Sequence, residues 1–240
     1  MSKLRIWGLV PARGGSKSIP LKNLVLLVDR PMLDYGIGAA LAWGGLEVIY
    51  CSTENKKISQ RALELGVDVD IRPPHLAGDD VHVADVARDF LLRKKLEGLL
   101  LPDFLFLIQP TSPMILPEHF SMVAKAINSD KKANSVQTVI QVPHNYHAWN
   151  QREITNNNVT FFYSNERAKA YNKQKKPPLY AFGNLVAVRV ESLLAGGDFF
   201  NQPSLAVVIP RSYGLDVDGP DDLIIAETLL SKIAFDSQGI

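Results

Sequence analysis

The sequence has little of several things, and each shortage closes off a class of protein. It holds one cysteine, Cys51. A single thiol rules out an intrachain disulfide and a multi-cysteine zinc site, and it fits a reducing compartment. No apolar run reaches the ~18–20 residues of a membrane span. The chain enters an apolar stretch right after Met1-Ser2-Lys3, so no secretory leader is expected and the cytoplasm is the expected location. Neither sign of charge dominates: 26 Lys and Arg face 25 Asp and Glu, for a net charge of +1. The whole-chain balance therefore gives no electrostatic case for nucleic acid or a membrane surface. There is no Gly-x-Gly-x-x-Gly dinucleotide fingerprint and no Walker A glycine-lysine loop.

What is present is a glycine turn crowded with cations. Ile6 to Val10 is an apolar run that reads as a buried parallel strand. It leads into Ala12-Arg13-Gly14-Gly15-Ser16-Lys17, and then to Pro20, Lys22 and Asn23. Glycines allow a sharp bend and a close approach to a ligand, because no Cβ stands in the way. Successive exposed N–H groups in such a loop form an anion-binding concavity. Arg13, Lys17 and Lys22 place three cations within ten residues, a density that suits a nucleoside triphosphate. The competing reading, a solvated basic loop, does not account for the strand and the glycines together.

Strand and helix signals then alternate. Helices are expected over 31–44, 55–65, 83–96, 118–128 and 220–232, and strands over 48–51, 67–71, 104–108 and 135–142, with Ser52-Thr53 as a helix cap. Alternation of this kind implies an α/β fold, a mostly parallel, Rossmann-like sheet with helices on both faces. Ligands in such sheets bind beyond the carboxyl ends of the strands, where the glycine loop sits. From His144 to Pro178 the chain turns polar, with an apparent turn at Asn156-Asn157-Asn158 and a short aromatic strand over 159–163, and the alternation breaks as if by an insertion. His144 and His147 are too few for a metal site, and Pro143 disfavours a helix that would align them. Asp216 and Asp218, placed on an extended segment, share a face and repel unless a cation lies between them. Carboxylates together with substrate phosphates are the usual way to hold Mg²⁺. Asp221 and Asp222 read instead as first-turn charges of the last helix.

Ala12-Arg13-Gly14-Gly15-Ser16-Lys17-x-Ile19-Pro20-x-Lys22-Asn23 resembles the signature of the cytidylyltransferases that activate acidic sugars, above all the CMP-sialic acid synthetases (acylneuraminate cytidylyltransferases). Three later stretches extend the resemblance: Arg72-Pro73-Pro74-His75-Leu76-Ala77-Gly78-Asp79, Gln109-Pro110-Thr111-Ser112-Pro113, and Asp216-Val217-Asp218 with Ala226-Glu227. The resemblance implies a nucleotidyltransferase domain over 1–142 and 179–240 and an inserted dimerisation arm over 143–178. It implies nucleotide binding by Ala12, Arg13, Gly14, Gly15, Ser16, Lys17, Lys22, Asn23, Arg72 and Asp79, with Arg72 at the cytosine. Gln109, Lys173, Tyr180 and Asn184 fall where the family meets its sugar. Asp216 and Asp218 fall at its Mg²⁺, and Arg13, Lys22, Asp216 and Asp218 are the expected catalytic set. The expected activity couples a nine-carbon acidic sugar with CTP to give a CMP-sugar and pyrophosphate, in a homodimer. Enzymes for the eight-carbon sugar KDO carry a different loop after Ala-Arg. Two departures stand out: Asp80, Val81, His82 and Val83 replace small hydroxyl residues, and Gly183-Asn184-Leu185 replaces Asn-Gly-Ala. They leave two alternatives open, a transferase for another acidic sugar or base, and a non-catalytic nucleotide-binding relative.

Overall fold

The computed structural model describes residues 4–170 and 172–237, without side chains at 173 and 233–237. In chain order the elements are β1 (Ile6–Pro11), β2 (Leu26–Leu27), β3 (Arg30–Pro31), α1 (Met32–Trp43), β4 (Val48–Thr53), α2 (Lys56–Glu64), β5 (Asp68–Ile71), α3 (Val83–Leu96), β6 (Phe104–Ile108), α4 (Pro117–Ser129) and β7 (Ser135–Gln141). Then come β8 (Arg152–Thr155), β9 (Asn158–Phe161), α5 (Ser164–Lys169), β10 (Tyr180–Arg189), α6 (Val190–Leu194), β11 (Ser204–Val208) and α7 (Pro220–Ser237).

Seven strands form one sheet in the order β11-β7-β10-β6-β1-β4-β5. Every pairing in it is parallel except those of β10, which runs antiparallel to β6 and β7. Successive residues of a strand point to opposite faces, and both faces here are apolar. Val10, Phe104, Phe106 and Ile108 join one core with Leu33 and Ile37 of α1, Ile58 of α2 and Phe120 and Val123 of α4. Trp7, Leu9, Leu105 and Leu107 join a second core with Ala87, Phe90 and Leu91 of α3 and Leu193 of α6. That two-sided burial is why these strands read as unbroken apolar runs. Each fully buried aromatic or aliphatic side chain contributes about 1.5–3 kcal/mol.

Helix starts differ from expectation in one place. Ser52 and Thr53 do not cap α2; both belong to β4. The cap is Asn55, whose Oδ1 accepts from Lys57 N at 2.9 Å and Ile58 N at 3.3 Å. The parallel register of β4 on β1 and β5 carries the strand two residues further than its apolar run.

The segment 143–178 stands apart from the sheet. β8 and β9 form a hairpin whose turn residues Asn156 and Asn157 lie at φ 49° and 66°. Both central residues of such a two-residue turn need the left-handed region, which asparagine tolerates. Ile154, Val159 and Phe162 are exposed here.

Candidate functional site

β1, β4, β5 and β6 run the same way, so their carboxyl ends meet at one edge of the sheet. Four loops leave that edge: Ala12 onward, Glu54-Asn55, Arg72-Pro73 and Gln109-Pro110. Between them lies a cavity of about 420 Å³, reached by Arg13, Gly15, Ser16, Lys17, Lys22, Asn23, Asp79, Gln109 and Asp218. Residues from five separate stretches of the chain thus converge on one space.

The glycine loop is built by close contacts rather than by left-handed backbone. A Cβ at Gly14 would meet the Asn55 side chain at 2.5 Å, whereas a Cβ at Gly15 would meet nothing within 4 Å. Gly14 therefore backs onto α2, and Gly15 faces the open cavity. Ala12 is buried behind the loop, its N–H donating to the Ser52 carbonyl at 3.0 Å. Asn23 Nδ2 donates to the Arg13 carbonyl at 2.9 Å and ties the two ends of the loop together. Leu21, at φ 48°, turns the chain into the short 3-10 segment Lys22–Leu24. A leucine in that region is strained.

Charges in the cavity are already paired. The Asp79 carboxylate accepts from Lys17 Nζ at 2.8 Å and from Arg13 Nη1. Those bonds, Lys17's first, hold its pKa below the ordinary 3.8. Gly14 N–H donates to Glu54 Oε1 at 2.6 Å, a partner the sequence reading missed. A carboxylate directly after β4, at the edge where the other loops emerge, is the signal that could have found it. Lys22 Nζ donates to the Val217 carbonyl at 2.9 Å and lies 3.4 Å from Asp218 Oδ1. Ser18, also missed, donates to the Asp218 carbonyl at 2.6 Å.

The acidic loop is not a strand. Residues 214–218 are irregular, and Val217 is fully buried between the two aspartates. Asp218 borders the cavity, while Asp216 does not. The two still sense each other. Burial of the inner side of Asp216 raises its carboxyl above the ordinary 3.8; a bond from Thr111 opposes the rise, and the charge of Asp218 adds to it. Asp222 reaches back to accept from Asp218 N at 2.9 Å and Gly219 N at 2.8 Å, so it secures the start of α7.

A smaller cavity of about 210 Å³ adjoins the loop, lined by Arg13, Arg72, Asp79, Leu76, Val81, Val83 and others. Arg72 is 5% exposed. Its burial disfavours the guanidinium charge, and nearby Glu54 supports it.

A family model described as Cytidylyltransferase matches residues 7–195. The chain belongs to the cytidylyltransferase family. It is similar to the N-acylneuraminate cytidylyltransferase of Escherichia coli O18:K1:H7, 26% identical over 237 residues that cover 96% of this chain and 53% of that one. It is also similar to the CMP-N,N'-diacetyllegionaminic acid synthase of Legionella pneumophila, 28% identical over 233 residues, 95% and 97% of the two chains. The chain thus spans about half the length of the first relative and nearly all of the second. In fold it matches a CMP:2-keto-3-deoxy-manno-octonic acid synthetase complexed with CTP, with a TM-score of 0.73 at 15% identity over 95% of this chain and 99% of that one.

In this chain the residues expected at the sugar do not all reach the cavity. Gln109 does. Asn184 does not: it is fully buried, its Nδ2 lying 3.0 Å from His119 Nδ1 and donating to the Tyr213 carbonyl at 2.9 Å. Its amide serves the core between β10 and α4. Tyr180 is half exposed at the start of β10, beside Gln141, and does not line the cavity. Lys173 begins the 3-10 turn Lys173–Lys175, and its side chain lies outside the described residues. His147 has both ring nitrogens engaged, with Trp149 N and the Pro177 carbonyl. Among the described residues no group of three or more His, Cys, Asp or Glu could hold a metal, and no helix is long and apolar enough to cross a membrane.

Proposed function

We propose that this protein transfers a cytidylyl group from CTP to the anomeric hydroxyl of an acidic, nine-carbon sugar. The observation that carries the reading is the single cavity in which Arg13, Lys17 and Lys22 face Gln109 and Asp218. In the reaction the sugar oxygen bonds to the α-phosphorus, the bond from that phosphorus to pyrophosphate breaks, and the hydroxyl proton passes to solvent. Little covalent chemistry falls to the protein in phosphoryl-type transfers; positioning and charge neutralisation carry the rate.

The side chains divide that work. Arg13 and Lys17, pre-set by Asp79, neutralise the triphosphate. Gly15 and Ser16 form the floor beneath it. Lys22, held by Val217 and Asp218, faces the charge that develops as pyrophosphate leaves. Arg72 donates to the base in its own small pocket. Gln109, with both a donor and an acceptor, orients the sugar.

A hard divalent cation is assigned to this end of the cavity, because the Asp218 carboxylate borders the space for the triphosphate and Asp216 lies two residues away. Mg²⁺ held by these carboxylates and the phosphates would supply Lewis-acid charge neutralisation at the α-phosphate. The exposed hairpin of the 143–178 arm supports a homodimer, and the names of the relatives support a sialic-acid-like sugar. Pyrophosphate release measured with CTP, Mg²⁺ and a panel of nine-carbon acidic sugars tests the proposal. CTP binding with no release for any sugar would instead support the non-catalytic relative, a reading that the core placement of Asn184 favours.

A further inference from the structure

Arg72 needs help to act on a base. Its pocket is otherwise walled largely by apolar groups, Leu76, Val81, Val83 and Val86 among them. Two of those four, Val81 and Val83, stand in the stretch that follows the Arg72 loop. A long guanidinium side chain loses much freedom when it is fixed, so its position must be enforced by partners.

The partners lead away from the pocket in a chain. Arg72 Nη2 donates to the Ser52 carbonyl at 2.8 Å, and its Nε approaches Ser52 Oγ at 3.4 Å. Ser52 Oγ donates to Asp70 Oδ2 at 2.9 Å. Ser52 and Asp70 are register partners on β4 and β5, so they stand side by side on the sheet. Asp70 accepts from Arg93 Nη1 at 2.5 Å and Nη2 at 3.0 Å, and Arg93 Nε donates to Asp89 at 2.7 Å. Ser52 is 0% and Asp70 2% exposed. The Ser52 carbonyl has a second client, the N–H of Ala12, where the glycine loop begins. One carbonyl therefore fixes both the base-facing arginine and the root of the phosphate-facing loop.

A carboxylate and a hydroxyl buried in a sheet are not a cheap way to fill space. Replacing such a buried ionic group with apolar residues of similar volume is often neutral or stabilising. Here the network ends on a side chain that faces a cavity, which gives it a use other than packing.

We propose that Ser52, Asp70 and Arg93 are positioning residues that hold the Arg72 guanidinium in register with the glycine loop and so set the spacing at which base and triphosphate are bound together. The proposal rests on the reading of the small pocket as the site of the base. Calorimetric titration of the full chain with CTP and with inorganic tripolyphosphate tests both. Wild-type protein binds CTP more tightly than tripolyphosphate. Ser52→Ala, the smallest change in the chain, and Asp70→Asn each weaken CTP roughly tenfold and tripolyphosphate by less than about twofold, as expected for lost support of a charged hydrogen-bond donor. Arg72→Gln gives the same pattern, and Ser52→Ala added to Arg72→Gln weakens CTP no further. General loss of folding would weaken both ligands together, and that outcome in Ser52→Ala overturns the positioning role. So does a Ser52→Ala protein that keeps its preference for CTP while Arg72→Gln has lost it. A wild-type protein with no preference for CTP over tripolyphosphate overturns the base-pocket reading itself.

Discussion

Val217 is buried with its N–H donating to the Thr111 carbonyl at 2.8 Å and its own carbonyl accepting from Lys22. That anchor leaves Asp216 and Asp218 on either side of it with different surroundings. Asp218 is beside Lys22 at the cavity, and Asp221 is an exposed residue of the first helical turn. Asp218→Asn is therefore expected to raise the Mg²⁺ concentration needed for half activity and to lower kcat, while Asp221→Asn changes both far less. Mg²⁺ titrations of activity check the pair, and the reverse ranking would place the metal on the wrong carboxylate. Arg13→Ala or Lys22→Ala should cost ~10²-fold or more in turnover, about 2.7 kcal/mol of transition-state stabilisation; near wild-type kcat in either would sink the triphosphate assignment. Asp216 carries a pH signature. Its folded pKa lies above 3.8, mainly through burial, so the folded state holds this proton more tightly than the unfolded chain. Stability from this group is full below 3.8 and is given up as pH rises through the folded value. Asp216→Asn should then melt slightly higher than wild type at pH 7 without divalent ions, by about 2 °C or less because water screens its open side. The difference should vanish below pH 3.8. Thermal melts in a chelator at the two pH values decide it.

At the scale of elements, the glycine loop and α2 share one residue. Asn55 caps the helix and also fills the space that a Gly14 side chain would need. Gly14→Ala is expected to displace that cap at a cost of about 1 kcal/mol, or a melting temperature lower by about 2–4 °C. Gly15→Ala has open space around it and should leave melting unchanged while weakening CTP, since its methyl group enters the cavity. Melting and CTP titration of the two variants separate a glycine needed for the fold from one needed for the ligand. If both lower stability equally, the loop is not organised this way.

For the molecule as a whole, the 143–178 arm is the part with no core of its own. In its hairpin Ile154 pairs with Val159, 74% and 59% exposed, and Phe162 follows at 60%. An exposed two-stranded hairpin is at best marginally stable alone, and its open edges invite pairing. On the proposed homodimer, light scattering should read a dimer for the full chain and monomers once the arm is deleted. A shortened chain that remains dimeric would show that the subunits meet elsewhere.

Much of this was legible in the chain. The apolar runs at Ile6–Val10 and Phe104–Ile108 read as strands covered on both faces, because at five residues each they are short for a buried helix. Cations next to glycines after such a strand marked the candidate site, since topology alone puts that loop at the carboxyl edge. α3 and β6 fall at the expected residues for the same local reasons. What local pattern could not decide is which polar groups face inward. Asn184 follows a glycine in a strand whose register is broken between Phe182 and Val186, and only the packing of β10 on β7 and α4 turned its amide into the core. Asp216 and Asp218 look alike in one dimension, and burial of Val217 gave them separate surroundings. Ser52 and Asp70 lie eighteen residues apart, and parallel pairing of β4 with β5 made them neighbours. Local sequence sets periodicity and turn chemistry, whereas inward orientation and long-range polar partners follow from which surfaces meet, and that is decided only when the whole chain closes on its core.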